Sequence, residues 1–136
     1  MTTERFVIEL CQITGMESDG IYAKGRKNGW LEAEDEISKD RPLTRKNAAR
    51  IFHMYLLKVL HVNDLDISGA KDLRDLYDCR ICANHIAQAY MRGIMNAREL
   101  KRDGGFLWFD LNGTDDDEEV MAQLSRFSSI ADCSLI

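Results

Sequence analysis

Apolar residues recur every three to four positions in several stretches of the chain, which is the spacing of one face of an α-helix. The strongest stretch predicts a long helix over residues 44–60, because Pro42 stops the preceding segment and Thr44 is a good N-cap. Its apolar stripe is Ala48, Ile51, Phe52, Tyr55 and Val59. The same spacing predicts two further long helices, over residues 2–14 and 114–127, and a helical stretch over 73–95.

The segments between these stretches have weaker patterns. Residues 20–29 predict a short helix of low propensity, because three glycines interrupt it. The polar residues 32–42 predict a solvated loop with at most a short extended segment, and residues 98–113 predict a loop around an apolar cluster. The tail from Ser128 has no clear periodicity. The chain is therefore predicted to be mostly helical.

Composition places the chain among single-domain globular proteins. Of its 136 residues, 45% are hydrophobic and 30% charged, with one proline, which favours long helices in one domain over residues 1–136. The net charge of −5 argues against a nucleic-acid-binding domain, which usually has a basic face. No apolar run approaches the roughly 20 residues that span a bilayer, and a signal peptide is not apparent. We expect a soluble chain, cytoplasmic unless it is excised from a longer secreted parent of the cell envelope.

Two stretches of the chain share the same order of parts. One runs from Gly29 and the other from Gly93, and each contains a helix end, a loop and a helix opened by a threonine, Thr44 or Thr114. The N-terminal TTERFVIEL is similar to the long helix of a third copy. Three similar long helices with short satellites indicate a repeat architecture, in which one unit cannot bury its apolar face alone.

Short motifs recur within these parts. LTRKNAARI, from Leu43, opens the strongest predicted helix, and LRDLYDCRICANHIAQAYMRGIM, from Leu73, places an apolar-x-Asp-apolar element before a helix that ends in Gly-Ile. GFLWFDLNGTDDDEEV follows from Gly105. In this order the motifs resemble the repeats of the S-layer homology (SLH) domain of bacterial cell envelopes, whose long helix opens with (I/L)-T-R-A-E. The resemblance covers about residues 2–127 and implies an all-α fold, a three-helix bundle with shorter peripheral helices.

The SLH resemblance also implies a function, that of a non-catalytic module anchored to anionic, often pyruvylated, secondary cell-wall polysaccharide. In the family, the motif arginines contribute to the grooves that bind this glycan. Here only Arg45 keeps that arginine, while Thr3 takes its place in the first copy and Asp115, which would repel an anion, in the third. The alternative is a degenerate copy that has lost glycan binding and acts as a protein-interaction module, with itself or another protein, with or without calcium.

The predicted ligand-binding residues are Arg45, Trp30 and Thr44. Arg45 lies in the first turn of a helix, where free backbone N–H groups and a bidentate guanidinium contact could hold an anion. A solvated arginine or a surface ion pair is the alternative, and in either case we expect Arg45→Ala to leave stability nearly unchanged. Trp30 is either a sugar-stacking platform or, like its counterpart Ile94, a core residue, and the core interpretation is favoured.

A C-x-x-C-x-x-H motif suggests zinc, but we do not assign it as a metal site. On a helix its first and last members, Cys79 and His85, diverge around the axis by about 120°. A tetrahedral zinc site would also need distant ligands, such as Cys11 or His61. We therefore predict that Cys79 and Cys82 are core cysteines, and a disulfide is not expected.

A stretch between two predicted helices matches the spacing of a calcium-binding loop. The residues that fit positions 1, 3, 5, 6, 9 and 12 of such a loop are Asp64, Asp66, Ser68, Gly69, Asp72 and Asp75. Lys71 stands where an apolar residue normally anchors such a loop, so a linker is favoured. No catalytic set is apparent, because His53, His61 and His85 have no nucleophile that the sequence places beside them. We predict no enzymatic activity and no cofactor.

Overall fold

The structure, a computed structural model, describes residues 1–99 and 106–134. Its elements are α1 (Thr3–Thr14), α2 (Ile21–Asn28), α3 (Ala33–Ile37), α4 (Arg45–Met54), a π-helical turn (Tyr55–Val59), a 3₁₀ turn (Ser68–Ala70), α5 (Ala83–Met91), β1 (Arg98–Glu99), β2 (Leu107–Trp108) and α6 (Asp117–Ser134). The strands β1 and β2 pair antiparallel over two residues each and form the only sheet in the described residues. The described residues are mostly helical, which agrees with the predicted all-α class. The SLH-like repeat arrangement stays a prediction.

Two of the predicted long helices begin directly after a threonine whose side chain caps them. Thr2 accepts a hydrogen bond from the N–H three residues on, at 3.2 Å, and Gly15 ends α1 in the left-handed conformation with φ 73°. Thr44 caps α4 in the same way, at 3.3 Å. The helix predicted over residues 44–60 therefore starts as predicted, although it changes from α to π geometry at Tyr55.

Aromatic rings from α1, α4 and α6 meet in the core. Phe6 packs edge-on against Phe52, with 5.2 Å between ring centroids, and Phe52 lies 5.0 Å from Phe127. Tyr55, in the π-helical turn, contacts Phe127 at 5.7 Å. The three phenylalanines are fully buried, and burial of each is worth roughly 1.5–3 kcal/mol. These rings hold the three long helices together.

The polar stretch after α2 contains a helix where a loop was predicted. Glu32 and Asp35 form a reciprocal capping box, in which the Asp35 carboxylate accepts the Glu32 N–H at 2.8 Å. Asp35 is 2% exposed and accepts two hydrogen bonds from Arg50 of α4, at 3.0 and 2.6 Å. The prediction failed because one of the acidic residues is buried and paired with an arginine on another helix.

The helix predicted over residues 73–95 starts only at Ala83. The segment before it forms turns because it pairs with a distant part of the chain: the Arg74 N–H donates to the Leu107 carbonyl of β2 at 2.9 Å. The Asp75 carboxylate is buried and accepts two N–H groups of the loop after β2, both at 2.8 Å. Long-range pairing therefore overrides the helical periodicity in this segment.

The last helix begins later and ends later than predicted. Asp116, rather than Thr114, caps it, because the Asp116 carboxylate accepts the Glu119 N–H at 2.8 Å. The helix runs to Ser134, through a tail that shows no clear pattern in the sequence. Within the described residues, no helix combines the length and apolarity needed to cross a membrane.

Candidate functional site

Arg45, which the SLH resemblance assigns to a glycan groove, lies inside the molecule. It is the first residue of α4, and its side chain is 3% exposed. The guanidinium donates to the carbonyl oxygens of Phe109 at 2.7 Å and Asn96 at 2.5 Å, and to Asp115 Oδ2 at 2.6 Å. It also lies 4.6 Å from the centroid of the Phe109 ring. The expectation of a solvated arginine or a surface ion pair is therefore wrong.

The backbone amides at the start of α4 are also occupied. The N–H groups of Arg45 and Lys46 donate to the carbonyl oxygens of Gly113 and Leu111, both at 2.9 Å, and Thr44 accepts the next N–H along. The connection between β2 and α6 thus crosses the helix start where an anion was expected. The expectation of free N–H groups beside Arg45 is wrong.

Asp115 supplies the anion that Arg45 binds. Its side chain is 7% exposed and accepts further hydrogen bonds from Arg98 and, at 2.7 Å, from Gln123. Burial raises the pKa of the Asp115 carboxyl, but the Gln123 hydrogen bond and the two arginines outweigh burial and hold this pKa below its ordinary value. Burial also lowers the pKa of Arg45, although Asp115 opposes that shift. Asp115, expected to repel a ligand from a third groove, is instead the internal partner of Arg45.

Trp30 and Thr44 have structural roles in the described chain. The Trp30 ring is 1% exposed and packs edge-on against Tyr55, 5.1 Å between centroids, which agrees with the core interpretation. Its indole N–H is buried without a partner among the described residues. The space between Thr44, Arg45 and Asp115 is too small for a water molecule. Ligand binding by Arg45, Trp30 and Thr44 therefore has no open cavity in this structure, and it stays a prediction.

The aspartates of the suggested calcium loop are directed to separate partners. Asp64 binds His53, and Asp66 accepts an N–H of the following turn at 2.8 Å. Asp72 accepts a tyrosine hydroxyl at 3.1 Å, and Asp75 is buried against the loop after β2. In the part of the chain that the structure describes, no three His, Cys, Asp or Glu side chains are placed to hold a metal ion as they stand.

The C-x-x-C-x-x-H motif is not on one helix as predicted. Cys82 directly precedes α5, His85 lies in its first turn, and Cys79 lies in the turns before it. Cys79 and Cys82 form a disulfide and are half-buried, so the prediction of unpaired core cysteines is wrong for both. Cys11, by contrast, is unpaired and buried on α1, so it is a core cysteine.

The structure brings together two histidines that are 32 residues apart in sequence. His53 of α4 and His85 of α5 face each other through their Nδ1 atoms at 2.7 Å. His53 is 3% exposed, and its Nε2 lies 2.6 Å from Asp64 Oδ1. Burial, with the nearby charges of His53 and Arg50, lowers the pKa of His85 to about 4. Sequence reasoning missed this pair, because only the packing of α4 against α5 creates it.

A cavity of about 240 Å³ opens beside the histidine pair. Its lining includes Lys46 and Arg50 of α4 together with Ile81, Cys82 and His85 around the start of α5. Cys82, one half of the disulfide, and His85, one of the two histidines, therefore line the same space. This cluster has an open cavity, which the surroundings of Arg45 lack.

Comparison of the chain with models of protein families, with curated proteins and with solved structures finds no match. The resemblance to SLH domains therefore depends on the sequence motifs alone. The choice between the functions that it implies depends on the geometry around Arg45.

Proposed function

We propose that this chain is a non-catalytic, SLH-like module whose Arg45 groove is closed to anionic glycan, and that it makes its contacts with protein instead. The observation that carries the proposal is the internal pair of Arg45 and Asp115, which lie 2.6 Å apart with side chains 3% and 7% exposed. Glycan anchoring through Arg45, the other function that the resemblance implies, requires this pair to open.

The energy of opening the Arg45–Asp115 pair disfavours glycan binding there. Separating the partners of a buried ion pair costs up to about 3–5 kcal/mol, the full cost applying where a buried charge is left uncompensated, and Arg98 and Gln123, which stay bound to Asp115, reduce that cost here. A hydrogen bond between a ligand carboxylate and the guanidinium returns about 1.5–3 kcal/mol. The ligand would also compete with the carbonyl oxygens of Asn96 and Phe109. The internal carboxylate is therefore the better partner for Arg45.

The other two motif places offer no cation to an anionic glycan. Thr3, in the first copy, is 4% exposed, and its N–H donates to the Arg41 carbonyl at 3.1 Å. Asp115 takes the third place, and the first turn of α6 adds three acidic residues, Asp117, Glu118 and Glu119. Since the whole chain has a net charge of −5, these surroundings favour a partner that is not a polyanion.

Exposed apolar side chains support contact with protein. Tyr77 and Ile81 lie in the turns before α5 and are 61% and 88% exposed. Tyrosine is enriched at protein interfaces, because its ring combines apolar area with a hydrogen-bonding hydroxyl. These two side chains give the turn segment an apolar surface close to the cavity.

The proposal is tested by retention on purified anionic cell-wall polysaccharide at low and moderate salt. We expect no salt-dependent retention of the wild type. Asp115→Asn removes the internal charge while keeping the side chain's shape, and we expect it to be retained in a salt-dependent manner. Glu118→Gln is the matched control, because it removes the same charge from an exposed position.

If the wild type were retained and the Arg45→Lys variant were not, the proposal would be contradicted. Circular dichroism of both proteins must show the same helical signal, so that the loss is one of binding rather than of folding. Such a result would restore glycan anchoring at Arg45 as the function.

A further inference from the structure

The histidine pair has the hydrogen-bond arrangement of metal-binding imidazoles. Asp64 Oδ1 lies 2.6 Å from His53 Nε2, and Asp64 Oδ2 accepts Asn84 Nδ2 at 3.0 Å. A carboxylate only accepts hydrogen bonds, so His53 Nε2 is the donor to Asp64, and in the neutral imidazole the lone pair of Nδ1 is then directed toward His85. A carboxylate behind an imidazole is the usual second partner of a histidine that binds a metal, since it fixes the tautomer.

Two sulfur atoms lie at the start of the helix that carries His85. Cys82 directly precedes α5, and His85 is three residues further on, so their side chains are neighbours on one face of the helix. Both line the cavity of about 240 Å³. The disulfide brings Cys79 to the same place, with its Cα 5.2 Å from that of Cys82.

We propose that, once the disulfide is reduced, Cys79, Cys82, His53 and His85 bind one zinc ion as a Cys₂His₂ site. C-x₂-C is a common spacing of zinc-binding thiolates, and two thiolates with two imidazoles form a closed tetrahedral set. The distant fourth ligand is His53, where the sequence suggested Cys11 or His61. Cys11 is buried on α1 and His61 is exposed beyond the π-helical turn.

The transition needs an external reductant and zinc, and its atoms and electrons balance with these. A dithiol supplies two electrons and two protons, breaks the sulfur–sulfur bond and leaves two thiols and its own disulfide, while a phosphine does the same with one water molecule and leaves a phosphine oxide. Zinc then displaces one proton from each thiol. The proton on His85 Nδ1 moves to its Nε2, so that both Nδ1 lone pairs point to the metal. Two thiolates neutralise the charge of Zn²⁺, which suits a partly buried position.

For the two imidazoles, only a small movement separates the disulfide form from the zinc form. At zinc–nitrogen distances of about 2.0–2.1 Å and tetrahedral angles, the two nitrogens lie roughly 3.3 Å apart. The Nδ1 atoms of His53 and His85 are 2.7 Å apart in the disulfide form, so the rings must separate slightly. While the sulfurs are bonded to each other they cannot act as thiolate ligands. In the described residues as they stand, no three His, Cys, Asp or Glu side chains are placed to hold a metal ion, so the proposed site belongs to the reduced chain alone.

The experiment compares zinc binding by the full chain before and after reduction with a phosphine, under anaerobic conditions. We expect one zinc ion per reduced chain, a higher melting temperature with zinc, and little binding by the oxidised chain. Cobalt(II) bound to the reduced chain should show the strong visible absorption of a tetrahedral site and a thiolate charge-transfer band. The charge-transfer band reports sulfur ligation even where stability does not change.

Matched variants separate the proposed ligands from other groups. Cys11→Ser and Cys133→Ser remove the two unpaired cysteines and should keep zinc binding, whereas Cys79→Ser and His53→Gln should abolish it. Asp64→Asn should weaken zinc binding by about 10- to 100-fold, because it removes the carboxylate behind His53. This variant keeps all four ligands, so it tests the proposal even if His53→Gln fails to fold.

Three results would overturn the zinc site. The first is equal zinc binding by the oxidised and reduced chains. The second is equal binding by the reduced wild type and reduced Cys79→Ser. The third is a weak cobalt spectrum of an octahedral site without a charge-transfer band. Each would mean that the sulfurs and imidazoles do not bind one metal together.

Discussion

Two polar clusters inside this molecule show how differently buried charge can be used. Around Arg45, every guanidinium nitrogen and the facing carboxylate of Asp115 are paired within the chain, and no space remains for a ligand. Around His53 and His85, the hydrogen bonds depend on which imidazole nitrogen carries the proton, and a cavity adjoins the pair. The first cluster is fixed by its pairing, while the second has atoms that can change partners.

A residue that matches a motif therefore does not form a binding site merely because it is the right residue type. Arg45 matches the arginine of the SLH motif, yet it donates to three acceptors from two distant segments and so connects parts of the fold. The histidines match no motif of the resemblance, yet their lone pairs can serve a metal. A set of nitrogen atoms that can change hydrogen-bond partners beside a cavity is therefore the better indicator of a binding site here.

Arg45 is the residue whose replacement should have the largest effect on stability. Replacing it by alanine removes one of the two arginines that bind the buried Asp115 carboxylate and leaves two carbonyl oxygens without a donor. We expect Arg45→Ala to lower the free energy of unfolding by up to about 3–5 kcal/mol, in contrast to the near-neutral effect expected of a surface arginine. The measurement is urea-induced unfolding followed by circular dichroism.

Arg26→Ala provides the control for this measurement. Arg26 is half-exposed and lies 3.8 Å from Glu36, so its loss should cost at most about 1 kcal/mol. An effect of Arg45→Ala as small as that of Arg26→Ala would mean that the internal pair contributes little, and the contrast between the two clusters would fail.

The histidine–cysteine cluster should respond to reduction instead. Opening a disulfide that closes so short a loop, Cys79 to Cys82, removes a constraint on the unfolded chain worth about 2 kcal/mol. We therefore expect reduction in the presence of a chelator to lower the free energy of unfolding by about that amount. If the zinc site exists, zinc should then restore the loss, measured by the same unfolding experiment.

The variant with both Cys79→Ser and Cys82→Ser controls for effects of the reductant elsewhere. Its stability should respond neither to reduction nor to zinc. A loss that zinc does not restore in the wild type would leave the disulfide as a structural link, and both clusters would then be fixed by pairing.

Local signals allowed part of the fold to be predicted from the sequence. Thr2, Gly15 and Thr44 act through hydrogen bonds within a few residues, so the starts of α1 and α4 and the end of α1 agree with the prediction. The apolar stripe of α4 correctly predicted Phe52 and Tyr55 as core residues. These features depend only on neighbours along the chain.

The remaining features depend on contacts between distant residues. Asp75 interrupts the predicted helix because the N–H groups that donate to its carboxylate lie 34 and 35 residues away along the chain. Asp35 is buried because Arg50 reaches it from α4. The His53–His85 pair likewise needs α4 and α5 to pack, so neither the site nor the closure of the Arg45 groove has a signal in local periodicity.

The smallest of these effects is on acid stability, and it tests whether Asp115 belongs to the fixed cluster. Because the pKa of the Asp115 carboxyl is held below its ordinary value in the folded chain, folding favours the ionised form. That contribution is complete above about pH 5 and is lost as the pH falls through the folded-state pKa, with a slope of at most about 1.4 kcal/mol per pH unit. We therefore expect the stability difference between the wild type and Asp115→Asn to be constant above about pH 5 and to shrink below it.

Glu118→Gln controls for the loss of one nearby carboxylate. A difference that stays constant down to about pH 2 would show that the charge of Asp115 does not stabilise the fold, and the pair with Arg45 would lose its role in closing the groove.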